Sequence, residues 1–88
     1  MSSTEVELRY FAWVRERIGT DAERIVLPEG ATTPRALIDH LAGRGEGYAL
    51  AFANPDVIRV AVDKKVADPA APLDGCREIA FFPPMTGG

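Results

Sequence analysis

The chain of 88 residues holds a single cysteine and a single histidine. Cys76 has no partner for an intrachain disulfide, which fits a reducing compartment. His40 has no neighbours at the spacing that would complete a zinc set, and a solvated place on a helix is expected for it. Basic charge is also short: 10 Lys and Arg stand against 13 Asp and Glu, for a net charge of −3. A phosphate-backbone partner needs clustered cations, so nucleic-acid binding is excluded. No apolar run approaches the roughly 18 to 20 residues of a membrane span. The opening Met1-Ser2-Ser3-Thr4-Glu5 lacks the basic and apolar regions of a signal peptide, and a cytoplasmic location is expected. No Ser-His-Asp set, Cys-His pair or phosphate-binding glycine loop is present, so the chain is not expected to catalyse a reaction alone. Repeats, low-complexity tracts and long linkers are absent too. With 47% hydrophobic and 26% charged residues, residues 1–88 are expected to form one small domain that buries roughly 60 to 65% of its unfolded surface.

What is present is a regular alternation of short elements. Val6, Leu8 and Tyr10 alternate with Glu5, Glu7, Arg9 and Phe11, which predicts a half-buried strand over 6–11. Ala12 to Ile18 carries Val14 and Ile18 one turn apart, with Gly19 where a C-terminal cap belongs, and predicts a short helix. Residues 22–27 form a second strand with Ile25 and Leu27 on one face, ended by Pro28 and Glu29-Gly30. Thr33 is an N-cap followed by Pro34 at the first helical position, and Leu37, Ile38 and Leu41 recur at helical spacing up to Gly43 and Gly45. This is the main helix. Tyr48 to Phe52 is expected to add a helical turn or two. Val57 to Val62 is a β-branched strand with Ile58, Val60 and Val62 on one face, and Asp63-Lys64-Lys65-Val66 turns it back without an Asn-Gly signature to fix the turn type. Lys64 and Lys65 are read as a charged hairpin tip that discourages edge pairing. Leu73-Asp74-Gly75 leads into a last strand, Arg77 to Phe82. Strand, strand, helix, strand, strand gives an α+β layer pair, a mixed sheet covered by one main helix with short extra helices. If the first and last strands lie side by side, the fold is a β-grasp.

The last strand runs into Pro83-Pro84-Met85-Thr86-Gly87-Gly88. The two prolines fix φ and favour an extended course, so residues 83–88 would hold a tip roughly 20 Å from the domain. Gly87 and Gly88, without Cβ atoms, can thread a narrow channel and take the dihedrals that different partners require. A flexible tail, stiff at its root, is therefore expected over 83–88. The plainer reading is a strand terminator followed by a frayed end. Beside it, Phe11 and Phe82 both fall in phase with polar residues. An exposed aromatic pair at the base of a protruding tail is a credible interface centre. The competing reading is that the alternation slips at the strand ends and buries both rings. Cys76, after Asp74-Gly75 and with only Arg77 nearby to lower its pKa, is expected to be a packed thiol and not a persulfide carrier.

Arg9-Tyr10-Phe11-Ala12, Val14-Arg15-Glu16, Gly19-Thr20-Asp21-Ala22, Pro72-Leu73-Asp74-Gly75 and the ending Glu78-Ile79-Ala80-Phe81-Phe82-Pro83-Pro84 with Thr86-Gly87-Gly88 resemble the small subunit of molybdopterin synthase. The resemblance runs from Val6 to the last residue, and its terminal motif is highly specific. It implies a ubiquitin-like β-grasp sulfur carrier in molybdenum cofactor biosynthesis, the sulfur-donating subunit of a sulfurtransferase complex. An E1-like adenylyltransferase would use ATP to form an acyl-adenylate at Gly88, and a persulfide donor would convert it to a thiocarboxylate, a 1-thioglycine. Sulfur would then pass to cyclic pyranopterin monophosphate in the active site of the large subunit, which contributes the catalytic side chains. Phe11, Val66 and Phe82 match the family's contacts with the large subunit, and Pro83, Pro84, Met85, Thr86 and Gly87 form the tail that enters it. A heterotetramer is implied, with no permanently bound cofactor or metal. Alternatives of the same fold are a carrier for thiazole or cysteine synthesis and a protein modifier joined to lysines. The Phe-Phe-Pro-Pro element and the inserted first helix speak against both.

Overall fold

The computed structural model describes residues 5–84, which form a five-stranded mixed sheet with helices on one face. β1 (Glu5–Tyr10) pairs antiparallel with β2 (Ala22–Val26), and the two are joined by α1 (Ala12–Ile18). The helix ends as glycine dictates: Gly19 takes φ 95° and donates its N–H to Arg15 O. α2 (Pro34–Ala42) starts at Thr33, whose hydroxyl accepts the Ala36 N–H at 3.2 Å, satisfying one of the free donors of the first turn. α3 (Glu46–Ala51) begins two residues before the expected Tyr48. A single 3₁₀ turn, Pro55–Val57, then takes the first residue of the predicted third strand, and β3 runs Arg59–Val62. Pro55 pre-sets φ for that turn, which is why the strand starts late. β4 (Lys65–Ala67) and β5 (Glu78–Phe82) complete the sheet.

The strand order is β2-β1-β5-β3-β4, and β1 and β5 are parallel neighbours. This is the β-grasp arrangement. β5 occupies the middle of the sheet, while β3, expected near the centre, lies one place out between β5 and β4.

Alternation sorts the side chains. Val6, Leu8 and Tyr10 of β1, Ile79 and Phe81 of β5, and Val60 of β3 are buried beneath the helices with Val14, Leu37, Ile38 and Leu41. Tyr10 stacks on Phe81 with centroids 5.9 Å apart, and Phe52 meets the same ring edge-on at 5.4 Å. The helices pack closely on one another as well. A Cβ on Gly47 would lie 2.5 Å from Arg17 O, so α3 approaches the end of α1 only because that residue is glycine.

Candidate docking face and tail root

Among the described residues no helix covers the other face of the sheet. Cross-strand partners share a face, so the register reads out what this surface carries. One row runs Ala22–Arg9–Ala80–Ala61–Val66 across all five strands. The next row toward the end of β5 holds Phe82 opposite Arg59. Phe11 follows Tyr10 in the outward phase, and its N–H donates to Phe81 O at 3.1 Å, which keeps it beside β5. The expected strand thus stops at Tyr10, and Phe11 serves as the extended residue that caps α1.

Phe11 is 45% exposed and Val66 77% exposed. Phe82 is half-buried and shares their face, opposite in phase to the fully buried Phe81. The alternation therefore holds through the strand end and does not slip to bury both rings. Ala80 is the exception on this face: its short side chain lies below the level of Arg9 and Ala61 and is buried. Pro83 and Pro84 leave the ladder directly after Phe82, half-buried and outside any strand. Met85, Thr86, Gly87 and Gly88 lie outside the described residues.

Two local devices hold this surface in place. The β3–β4 loop consists of Asp63 and Lys64 at φ 51° and 73°. Positive φ at both residues is what a type I′ hairpin turn requires, and Asp tolerates it better than most. The Asp63 carboxylate accepts the N–H groups of Arg77 and Glu78 at 2.9 and 3.0 Å, and its own N–H donates to Glu78 O. These hydrogen bonds hold its carboxyl below the ordinary carboxylate range. The hairpin that carries Val66 is thereby tied to the start of the strand that carries Phe82. At the other device, Ala12 begins α1 with φ 55°, a left-handed conformation costly for a residue with a Cβ, immediately after Phe11.

On the covered face the main polar feature is Glu23, opposite Leu8 on edge strand β2. Its carboxylate accepts the hydroxyls of Tyr48 at 2.6 Å and Tyr10 at 2.8 Å, and Arg44 at 3.3 Å. Burial opposes its ionisation, but the two tyrosine hydrogen bonds and Arg44 outweigh that and hold the carboxyl low. Burial, reinforced by the same carboxylate, pushes both phenols up. The cluster clamps β1, β2 and α3 together. Sequence periodicity contained its signal: Glu23 lies in phase with Ile25 and Leu27, a carboxylate on an apolar face that needed donors.

Cys76 is buried in the core, where burial pushes its thiol up, consistent with a packed residue. His40 is exposed on α2. Among the described residues no group of three or more His, Cys, Asp or Glu is placed to hold a metal ion, and no helix is long and apolar enough to cross a membrane.

Comparison with known proteins bears on this face and its tail. A profile described as the ThiS family matches residues 8–88. The chain is 36% identical over 83 residues to the molybdopterin synthase sulfur carrier subunit of Escherichia coli (strain K12), spanning 94% of this chain and 99% of that protein. Among solved structures, it resembles a Pyrococcus furiosus protein provisionally assigned as molybdopterin converting factor subunit 1, at TM-score 0.70 and 32% identity, covering 94% of this chain and 100% of the other. It also resembles small archaeal modifier protein 1 of Haloferax volcanii at TM-score 0.64 and 25% identity, covering 93% and 99% respectively.

Proposed function

The chain belongs to the ThiS family, and from that premise we propose that it is the sulfur carrier subunit of a molybdopterin synthase, acting in the cytoplasm in molybdenum cofactor biosynthesis. The observation that carries this reading is the placement of Phe11, Val66 and Phe82 on the open face of the sheet, at the end of β5 from which the chain continues into Pro83-Pro84. An apolar surface at the root of a Gly-Gly tail suits a chain that presents a reacting group to partners, because aromatic anchors at the centre of an interface supply most of its binding energy.

The chemistry follows from the carboxylate. Ionised at neutral pH, with an α-carboxyl pKa of about 3.5, it is a poor electrophile and must be activated before it accepts sulfur. An E1-like adenylyltransferase joins the Gly88 carboxylate to the AMP portion of ATP, breaking the α–β phosphoanhydride and releasing pyrophosphate. The outer sulfur of a persulfide donor then attacks the acyl carbonyl and expels AMP. A thiol cleaves the resulting acyl disulfide, forming a disulfide with the donor as the thiocarboxylate leaves. The tail enters the active site of the large subunit, where the sulfur passes to cyclic pyranopterin monophosphate. Gly88 is the residue that carries sulfur. Gly87 likewise lacks a Cβ, and Pro83 and Pro84 form the root of the tail beside the docking face. The large subunit covers Phe11, Val66 and Phe82.

Purified protein incubated with the activating enzyme, ATP and a sulfur source tests this reading by intact mass. One oxygen replaced by sulfur is expected, and a variant lacking Gly88 should fold normally and remain unloaded. No mass change in the wild-type protein, with an activating enzyme shown to be competent, would overturn the proposal.

A further inference from the structure

The open face of the sheet divides into two halves of different character. Over β2, β1 and the start of β5 its charged residues neutralise one another: Arg9 lies 3.3 Å from Glu7 and 3.8 Å from Glu78, and Arg24 lies 3.9 Å from Glu5. From the end of β5 across β3 and β4 the face is apolar, with Ala80, Phe82, Ala61 and Val66, and Phe11 beside the end of β5. Within that apolar half stands one cation, Arg59, exposed and directly opposite Phe82. Arg59 makes no ion pair and no side-chain hydrogen bond among the described residues. The acidic residue that continues the β3–β4 register opposite it is Asp68, whose carboxylate instead accepts the Ala70 N–H at 2.8 Å.

A guanidinium is charged at every working pH and presents a planar set of donors that fits a carboxylate. An apolar surface built of alanine, valine and phenylalanine attracts a complementary surface strongly but fixes its position weakly, because hydrophobic contact is not directional. A single charge at the edge of such a patch supplies the missing direction. It steers the encounter, fixes one register and penalises partners that place a cation there.

We infer that Arg59 is the register-setting contact of the docking face, and that the protein surface covering Phe11, Val66 and Phe82 places an acidic side chain against it. This inference rests on the reading of that face as the large-subunit interface. Arg59 lies beside the strand end that leads to the tail, so the ion pair orients the tail root while the aromatic residues supply the affinity. A chain of net charge −3 thereby gains a positive contact beside the apolar residues of this face.

The test measures binding of the full chain to the large subunit of the same organism's molybdopterin synthase, for wild type, Arg59→Ala, Arg59→Lys and Arg59→Glu, with Phe11→Ala alongside. Screening shortens from about 10 Å at 0.1 M salt to about 3 Å at 1 M, so each variant is measured at both. Arg59→Glu is expected to weaken binding roughly tenfold to hundredfold at 0.1 M salt, chiefly through slower association, with the deficit shrinking at 1 M. Arg59→Lys should stay within about threefold of wild type, since it keeps the charge but not the fork. Thermal unfolding of all Arg59 variants should match wild type, which separates a contact from a structural role. Phe11→Ala weakening the complex while Arg59→Glu leaves it within about twofold, or an Arg59→Glu deficit that ignores salt, overturns the inference alone. Wild-type protein that does not bind the large subunit overturns the underlying reading and this inference with it.

Discussion

Replacing Glu23 with alanine removes the acceptor shared by Tyr10, Tyr48 and Arg44. The cost can be worked from the geometry. A hydrogen bond to a charged group contributes about 1.5 to 3 kcal/mol, and a buried donor left without a partner loses its full desolvation penalty. That range applies most fully to Tyr10, which is 1% exposed. Tyr48 and Arg44 are partly exposed and can be rehydrated, so each adds under about 1 kcal/mol. The sum is about 2 to 4 kcal/mol. At about 4 to 8 °C per kcal/mol for a domain of this size, Tm should fall by roughly 8 to 32 °C. Glu23→Gln keeps one acceptor oxygen and should lose about 1 kcal/mol. The pH dependence fixes the sign. The folded-state carboxyl is held below its ordinary value, so the stabilisation is complete above the unfolded carboxylate pKa of about 4.3 and fades as pH falls through the lower folded value. The gap between wild type and Glu23→Gln should therefore be constant near neutrality and close in acid. Thermal melts followed by circular dichroism from neutral to acidic pH measure both quantities. An alanine variant melting within about 2 °C of wild type, or a gap that widens in acid, would refute the assignment of this cluster as the clamp between β2, β1 and α3.

Other consequences follow from neighbouring geometry. Gly47→Ala gains about 1 kcal/mol of helix propensity but sets a Cβ 2.5 Å from Arg17 O; overpacking of about 1 to 3 kcal/mol wins, and Tm should drop, whereas a rise would mean that α3 is free to move away. Both tyrosines of the chain have raised pKa values, so phenolate absorbance should not develop at the ordinary value near 10 and should appear only at higher pH or together with unfolding. Phe11→Ala and Val66→Asp change exposed side chains, and should weaken binding of the large subunit roughly tenfold or more while leaving thermal unfolding nearly unchanged.

Much of this was legible before any coordinates, for reasons that differ by element. The first helix carried its own stop in Gly19, and the second its own start in Thr33-Pro34, because capping is local chemistry. Period-two alternation put Val6, Leu8 and Tyr10 inside and left Phe11 and Phe82 on the other face. Where tertiary context decided, the reading fell short. The third strand begins after a turn set by Pro55, and its neighbours follow from a sheet order that no local signal contains. Asp63 was visible as a turn residue, yet its grip on Arg77 and Glu78 depends on strands joined across the sheet. By sequence Arg59 is simply the polar residue between Ile58 and Val60 on an alternating strand. Only the register, which sets it opposite Phe82 in the apolar half of the face, singles it out.

The central claim is that this chain delivers sulfur for molybdopterin. The direct measurement is single-turnover transfer from protein loaded with a thiocarboxylate at Gly88, followed by intact mass. Sulfur should leave the carrier, returning it to the carboxylate, only when the large subunit and cyclic pyranopterin monophosphate are both present. Sulfur retained under those conditions but discharged to a thiazole or cysteine precursor, or a carrier found joined to lysine side chains, would contradict the account.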